Sequence, residues 1–296
     1  MPQPETEYLT TRELAELLRI KERKVYDLAA SGQVPCSRAM GKLLFPRREI
    51  DAWLARGRSG SFAAVAAVHR PGVLLGSYEP MLEWALRESR CGLATFLDGS
   101  LDGLDRFAAG EGLATGLHIF VPETREWNLP LVRQRFAAAP VVLVEWCWRE
   151  RGLIVAPGAE KRIGGLTGLK GRRFVPRQPE AGSQHLFEHL LEREALASSE
   201  IEFAAPSRSE ADAALAVAEG KADATLGLLA LARQFQLGFI PVIRERFDLL
   251  VDRRSWFEEP IQALLRFCRS DPFAEKAGRL EGYDFSGMGL VHFNGP

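Results

Sequence analysis

Three segments of the chain share one arrangement: a short apolar run, a turn that contains Gly and Ser, and the start of an amphipathic helix. We call each a strand–helix corner; they are Val73–Leu86, Thr95–Phe107 and Arg172–Leu191. The first N–H groups of a helix have no partner within the helix and attract anions. A hydroxyl in each turn, from Ser77, Ser100 and Ser183, adds a further donor. We therefore expect the three corners to converge on one small anion.

One cationic side chain belongs to the third corner. Arg177 directly follows its β-prone run. In open α/β sheets, ligands bind beyond the carboxyl ends of the strands, so Arg177 should face the same crevice. A guanidinium binds an anion through a fork of N–H donors. Two alternatives remain open at this point: each Ser is an ordinary helix N-cap, and Arg177 forms a surface or interlobe ion pair.

The totals of the chain exclude several classes of protein. Its 296 residues, 46% hydrophobic and 26% charged, are typical of a soluble globular protein with room for two domains. Its four cysteines lie far apart without a CxxC pair, which argues against a disulfide framework. We find neither a signal peptide nor an apolar run of membrane-spanning length. The expectation is a cytoplasmic protein without a membrane partner.

The basic residues are concentrated at the start of the chain. Residues 1–58 contain eleven Lys and Arg against eight Asp and Glu, a net charge of +3, whereas the whole chain has −1. This asymmetry indicates a basic N-terminal module.

Helix signals in this module are short and closely spaced. Thr10 and Glu13 fit a capping box that opens a helix running to about Arg19. A second helix should end near Gly32, a hairpin turns around Gly41, and a third helix follows the hairpin at 47–56. Together these elements predict a winged helix-turn-helix.

The stretch Tyr8–Gly57 resembles the excisionase-type, MerR-like DNA-binding module in its helix lengths, Val25-Tyr26 pair, wing glycine and Phe45-Pro46. The resemblance implies that the second helix enters the major groove and that the wing contacts the DNA backbone. The residues that it implies for DNA contact are Arg23, Lys24 and Tyr26 on the helix, and Arg38 and Lys42 on the wing. The chain departs from the family at Lys21, where Ser or Thr usually caps this helix. A solvated charged face or a protein-docking module is the alternative.

From Val73 onward, strand and helix signals alternate, which predicts a doubly wound α/β architecture with parallel sheets. Two long β-prone runs, Val141–Val155 and Gly238–Val251, would carry the chain between two lobes and back. The predicted domains are a winged helix-turn-helix at 1–58, a linker at 59–70 and a ligand-binding domain at 71–296. Within that domain, lobe one comprises 71–156 and 239–296, and lobe two comprises 157–238.

An ordered series of motifs carries a second resemblance: GSYEP, DGSLDGLDRFAAGE, EWNLP, RERGLIVAPG, RFVPRQPEAGS, EADAALAVAEGKADATLGL and ERFDLLVDR. The series resembles the cytoplasmic, periplasmic-binding-protein-like domain that is related to molybdate-binding proteins and occurs fused to helix-turn-helix modules. It implies a two-lobed type II fold and a one-component transcriptional regulator that senses molybdate or tungstate. It also implies Asn128 as a cleft residue, with Trp127 as a possible cleft wall.

The third corner departs from the pattern of this family. Pro176 stands for Asn, Glu180 for Gly, and Gln184 for the closing Arg. These changes lower the positive potential, so an organic anion or a molybdenum-cofactor precursor remains an alternative effector. An enzyme that uses the α/β domain, or a DNA-binding protein without a ligand, are further alternatives. Asp223 and Glu245 match family positions and are expected at hinge or interlobe contacts.

The sequence-based prediction is therefore a regulator with a double-stranded DNA operator, a small anionic effector and a homodimeric state. We expect no catalytic residues, because no nucleophile and base stand at a known motif spacing. We expect no metal cofactor either, since His185 and His189 share a helix face but no third ligand accompanies them.

Overall fold

The first helix begins at the predicted capping box. Thr10 donates its backbone N–H to the Glu13 carboxylate at 2.7 Å, and Thr10 Oγ1 accepts the N–H of Glu13 at 3.3 Å. The helix ends at Arg19, whose φ of 52° is left-handed and stops the helical hydrogen bonding. Local hydrogen bonding thus fixes both ends of this short helix.

The computed structural model describes residues 8–39, 41–56 and 70–296. The chain divides into two compact units, Met1–His69 and Arg70–Pro296. Residues 1–7 and 57–58 of the predicted DNA-binding domain, and the predicted linker except Arg70, lie outside the described residues. The elements of the first unit are β1 (Tyr8–Leu9), α1 (Thr11–Leu18), α2 (Glu22–Ala30), β2 (Ser37–Ala39), β3 (Lys42–Pro46) and α3 (Arg47–Arg56).

A small apolar core holds the first unit together. Leu14, Val25, Phe45 and Ile50, one from each helix and one from β3, are fully buried against one another. Strand β3 pairs with both β1 and β2 in antiparallel register, which makes the predicted hairpin. The winged helix-turn-helix predicted from the sequence is therefore present.

The second unit alternates strands and helices as predicted. Its helices are α4 (Pro80–Ser89), α5 (Ser100–Ala108), α6 (Leu129–Phe136), α7 (Glu160–Ile163), α8 (Gly182–Arg193), α9 (Glu210–Ala218), α10 (Leu229–Gln234), α11 (Glu259–Phe267) and α12 (Asp271–Arg279). Its strands are β4 (Val73–Gly76), β5 (Ala94–Phe96), β6 (Ala114–Leu117), β7 (Phe120–Val121), β8 (Glu126–Trp127), β9 (Val141–Val155), β10 (Arg173–Val175), β11 (Glu202–Phe203), β12 (Ala224–Leu228), β13 (Gly238–Asp252), β14 (Tyr283–Asp284) and β15 (Val291–Asn294).

Two long strands join the lobes. β9 and β13 are antiparallel partners along their whole length, from Val155 opposite Gly238 to Val141 opposite Asp252. One sheet runs through both lobes in the order β11-β10-β12-β9-β13-β6-β4-β5. The outer strands of each lobe are parallel, as predicted, while the two crossing strands are antiparallel.

The crossing strands have neighbours in both lobes. Arg151–Val155 of β9 pairs with β12 of lobe two, whereas the end of β13 pairs with β6 of lobe one. The boundaries at 156/157 and 238/239 stay predictions. A continuous strand gives no sequence signal at the point where its neighbours change.

Glycines allow α5 to pack directly on the strands of lobe one. A Cβ added to Gly103 of α5 would lie 2.3 Å from the Cα of Gly76 and 2.5 Å from Oγ1 of Thr115. This close approach sets the start of α5, and with it Ser100, beside the carboxyl end of β4.

We predict that Gly103→Ala destabilises the ligand-binding domain by about 1–3 kcal/mol, because overpacking outweighs the better helix propensity of Ala. The matched control is Gly278→Ala in α12, where no described atom lies within 4 Å of the added Cβ. There the substitution should be neutral or stabilise by up to about 1 kcal/mol. Urea unfolding of both variants checks this, and equal effects would contradict the packing argument.

Candidate ligand site in the interlobe cleft

The carboxyl ends of strands from both lobes border one cavity of about 150 Å³. Lobe one lines it with residues that follow β4, β5 and β6, and lobe two with residues that follow β10 and β11. Pockets for drug-sized ligands measure roughly 300–1,000 Å³, so this cavity suits a smaller molecule. The lining includes Ser77, His118, Arg177, Ser183 and Glu210.

A chain of hydrogen bonds lies at the lobe-one side of the cavity. The buried Oγ atoms of Ser77 and Ser100 are 2.7 Å apart, and Ser100 Oγ also accepts the backbone N–H of His118 at 3.1 Å. When the Ser100 hydroxyl donates to Ser77, the hydroxyl hydrogen of Ser77 is left for a ligand. Ser77 lines the cavity, and Ser100 supports it from behind.

Two helix starts from opposite lobes meet at the cavity. Among the described residues, no side chain forms a capping hydrogen bond at the start of α5 or of α8. A Cβ added at Gly99 would lie 2.8 Å from the Glu180 carbonyl oxygen, and one at Gly182 would lie 2.9 Å from that of His118. The lobes are therefore in close contact here, with two sets of first-turn N–H groups at one place.

The first of the three predicted corners differs from the other two. At the start of α4 the Glu79 carboxylate accepts the N–H of Leu82 at 2.6 Å. This carboxylate already neutralises the helix end. Ser77 therefore contributes its hydroxyl to the cavity, while the anion-attracting helix ends are those of α5 and α8.

Arg177 follows β10 and lines the cavity, as predicted. Its Nη2 donates to the Arg208 carbonyl oxygen at 2.7 Å, while its Nε and Nη1 are buried and find no hydrogen-bond partner among the described residues. Burial lowers the pKa of Arg177, against the opposing effect of Glu210. Gln184, which replaces the family's Arg, fixes the Arg177 backbone by accepting its N–H at 3.0 Å. The site thus holds a positioned cation with unused donors.

Asn128 is not among the described residues that line the cavity, contrary to the expectation from the resemblance. Its side chain accepts the N–H of Ile119 at 2.6 Å and donates to Asp248 at 2.8 Å. With a left-handed φ of 55°, Asn128 holds the turn before α6. The side-chain amide of Asn128 is engaged in hydrogen bonds within the fold, so we assign it a structural role.

Other residues singled out from the sequence also lie elsewhere. Trp127 packs in the core of lobe two, where its ring meets Phe120 edge-on at 5.1 Å. Asp223 pairs with Arg173 at the surface, at 3.0 Å, rather than at a hinge. Glu180 is exposed and outside the cavity lining, so its carboxylate does not oppose an anion there.

Glu245 lies opposite Arg149 in the pair of crossing strands that joins the lobes, which we call the hinge, and it is the centre of a buried ionic network. It accepts hydrogen bonds from Arg151 at 2.6 and 2.9 Å, pairs with Arg149, and is 3.2 Å from Nδ1 of His118. Burial alone would raise the pKa of Glu245, but Arg149 and Arg151 outweigh it and hold the pKa well below its ordinary value. Arg151 also bonds Glu210 at 2.7 Å, which connects the network to the cavity.

Sequence reasoning missed His118 and Glu210 as cavity residues. His118 directly follows β6, at a fourth strand end without a Gly-Ser turn. Glu210 begins α9, where the N-cap Ser209 accepts the N–H of Asp212 at 2.9 Å. The signal that could have found both was the strand-end rule itself, applied to every strand rather than to three.

The residues predicted to contact DNA share one property. On α2, Arg23, Lys24 and Tyr26 are exposed, and so are Arg38 of β2 and Lys42 of β3. Tyr26 shows 52% of its surface to solvent, which is high for an aromatic side chain. At the N-cap of α2, Lys21 makes no side-chain hydrogen bond to a described residue, so the first N–H groups of this helix remain open to a phosphate.

Comparison with known families agrees with both units. Residues 83–269 match the PBP superfamily domain, and the chain belongs to that superfamily. Residues 8–58 match a helix-turn-helix domain. The chain therefore joins an excisionase-like DNA-binding module to a periplasmic-binding-protein-like domain, and this combination fits a ligand-responsive regulator.

Individual relatives share this organisation or fold. The chain is 26% identical to YvgK of Bacillus subtilis (strain 168), described as uncharacterized, over 97% of this chain and 98% of that one. A solved structure, the tungstate ABC transporter from Geobacter sulfurreducens, is 10% identical, covers 69% of this chain and 95% of its own, and has a TM-score of 0.50. The regulatory domain of Synechocystis PCC6803 CcmR, in complex with 2-PG, is 11% identical over 70% of this chain and 97% of its own, with a TM-score of 0.48. At 10% identity the likeness to the Geobacter structure shows the fold alone.

The described residues include neither a membrane-spanning helix nor a cluster of side chains suited to a metal ion. No helix among them has the length and apolar character needed to cross a bilayer. No group of three or more His, Cys, Asp or Glu side chains within the described ranges is placed to hold a metal ion.

We predict that Glu245→Gln lowers the free energy of unfolding by about 3–5 kcal/mol at pH 7, because two buried arginines lose their counter-charge. The depressed pKa of Glu245 means that its contribution is present above its ordinary pKa of 4.5 and is lost as the pH falls through the folded-state value. The difference between wild type and variant should therefore shrink below pH 4.5.

The control for this prediction is Asp223→Asn, which breaks an exposed pair and should cost less than about 1 kcal/mol. Urea unfolding from pH 7 to pH 3 measures both variants. Equal losses, or a difference that does not change with pH, would contradict the assignment of Glu245 as the buried hinge charge.

Proposed function

We propose that the chain is a one-component transcriptional regulator that binds operator DNA through its helix-turn-helix and senses a small anion in the interlobe cleft. One observation carries the proposal: Arg177, two of whose buried nitrogens find no hydrogen-bond partner among the described residues, lines a cavity where two helix starts meet that no side chain of those residues caps. Buried donors without partners are costly, and an anion would satisfy them. Through the DNA-binding module, ligand binding would change the affinity of the chain for DNA.

The ligand that the resemblance implies first is an oxyanion, molybdate or tungstate. The small volume of the cavity supports an oxyanion or an organic anion of few atoms. An organic anion or a molybdenum-cofactor precursor is the alternative. We assign no catalytic role to the domain, because His118 and Glu210 of the cavity lining are engaged in the buried ionic network rather than arranged as a nucleophile and its base.

Coupling would follow from lobe closure. Gln178 of lobe two donates to the Asp98 carbonyl oxygen of lobe one at 2.9 Å, so the lobes are already joined by one direct bond. An anion that contacts Ser77 and Ser183 together would gain its contacts only in this arrangement and would shift the population toward it. In a cytoplasmic homodimer, this shift would change the placement of two DNA-binding modules on half-sites about one helical turn apart.

For DNA binding, we predict that Arg23→Ala and Lys24→Ala weaken affinity for genomic fragments selected by the wild-type chain. A lost phosphate contact should also reduce the salt dependence of log K by about 1. Arg279→Ala, an exposed cation far along the ligand domain, serves as the control. Gel shifts at several salt concentrations measure these effects; absence of any sequence-preferring binding by the wild type would refute the DNA-binding proposal.

For ligand binding, we predict a saturable heat signal with a small anion, and an affinity about 10–100-fold lower for Arg177→Ala, since a charge-assisted hydrogen bond contributes about 1.5–3 kcal/mol. Ser77→Ala and Ser183→Ala should each weaken binding by a smaller factor. Arg173→Ala, whose partner is Asp223 on the surface of the same lobe, is the matched control. Calorimetry with molybdate, tungstate, sulfate and small organic anions decides this, and unchanged affinity in all three site variants would refute the site.

A further inference from the structure

The cavity offers hydrogen-bond acceptors as well as donors. The side chain of Glu210 is 13% exposed and lines the cavity together with Arg177. Its Oε1 is held by Arg151 at 2.7 Å, which fixes the carboxylate in place. Burial raises the pKa of Glu210, but Arg151 and Arg177 outweigh burial and lower it. Glu210 is therefore an ionised carboxylate, and its oxygens can only accept hydrogen bonds.

His118 supplies a second acceptor. Its Nδ1 lies 3.2 Å from Oε2 of Glu245, a carboxylate that is itself ionised and so can only accept. Nδ1 must therefore carry the hydrogen and donate it. Burial lowers the pKa of His118, despite Glu245, and keeps the ring neutral. In the neutral ring Nε2 then has a free lone pair, on a side chain that lines the cavity.

The formal charges of the residues that line the cavity sum to zero. Arg177 and Arg208 are the cationic lining residues, and Asp98 and Glu210 are the anionic ones. A fully deprotonated anion would place its charge next to Glu210 with no hydrogen between the two, which is a repulsive arrangement. An anion with its own O–H or N–H group would instead donate that hydrogen to the carboxylate.

We propose that the cleft selects a small anion that carries its own hydrogen-bond donor, with the anionic oxygens at Arg177 and the helix starts and the donor at Glu210. The inference rests on the proposed function. It predicts that molybdate and tungstate bind more weakly than protonated or hydroxylated anions. Hydrogen phosphate and small hydroxy- or amino-carboxylates share the required chemistry. Glu210 is then the specificity-determining residue of the site.

The first test uses the wild-type chain and pairs of ligands that differ in the donor. Calorimetry at pH 7 compares phosphate with sulfate, glycolate with acetate, and the zwitterion glycine, whose ammonium group is the donor, with acetate, alongside molybdate and tungstate. We expect the donor-bearing member of the recognised pair to bind at least about tenfold more tightly. The phosphate pair and the carboxylate pairs distinguish the two sources of the same chemistry.

The second test changes the acceptor. In Glu210→Gln the amide can donate to a deprotonated anion, so the preference should fall toward equality or invert. Asp212→Asn is the matched control, because Asp212 is an exposed carboxylate on the same helix that is absent from the described cavity lining. This control should keep the wild-type preference.

Three outcomes would count against these ideas, and they are distinguishable. Sulfate, molybdate or tungstate binding as tightly as the donor-bearing anions would overturn the inference alone, and so would an unchanged preference in a folded Glu210→Gln variant. Failure of every anion in the panel to bind would overturn the proposed function, and the inference with it. If Glu210→Gln does not fold, as judged by circular dichroism, the wild-type pairs still decide.

Discussion

A carboxylate buried between two crossing strands is the constraint on which the ligand domain depends. Glu245 on β13 is fully buried, and it persists as an anion because Arg149 and Arg151 of β9 and the ring of His118 surround it. Arg149 and Arg151 lie on β9, which passes between the lobes, and His118 directly follows β6 of lobe one. Loss of Arg149 or Arg151 would remove part of the counter-charge of Glu245, and loss of Glu245 would leave two buried arginines without it, so the network favours this pairing of the crossing strands.

The same network reaches the cavity at two points. Arg151 joins Glu245 to Glu210 on the lobe-two side, and His118 joins Glu245 to the lobe-one side. A ligand that contacts His118 therefore touches a group that is hydrogen-bonded to Glu245, and a ligand that contacts Glu210 touches a group that is joined to Glu245 through Arg151. This gives a physical route by which occupancy of the cleft would bias the crossing strands, and hence the arrangement of the lobes.

Much of the fold could be predicted from the sequence because its signals are local. The capping box at Thr10 and the two long β-prone runs each follow from short-range hydrogen bonding or periodicity, and both are present. The ligand site was predictable only in part. Ser77, Arg177 and Ser183 reach the cavity by the strand-end rule. Asn128 does not, because its amide satisfies the buried N–H of Ile119 and the carboxylate of Asp248, of which Asp248 is far from it in the sequence.

The acceptors of the site were missed because no sequence motif marks them, and only the strand-end rule applied to every strand points to them. Glu210 reads as an ordinary acidic residue in the first turn of a helix, and His118 as part of a strand. Their importance comes from partners far along the chain, Arg151 and Glu245, which only the folded sheet brings to them. Long-range ion pairs leave no local periodicity from which they could be inferred.

The central claim, that anion binding and DNA binding are coupled in one chain, has a direct test. Genomic fragments bound by the full chain are isolated, and the affinity for one of them is measured at fixed salt, with and without the anion that binds most tightly in calorimetry. The account predicts a change in DNA affinity of about fivefold or more at saturating anion, in either direction. The same affinity with and without the anion would contradict it.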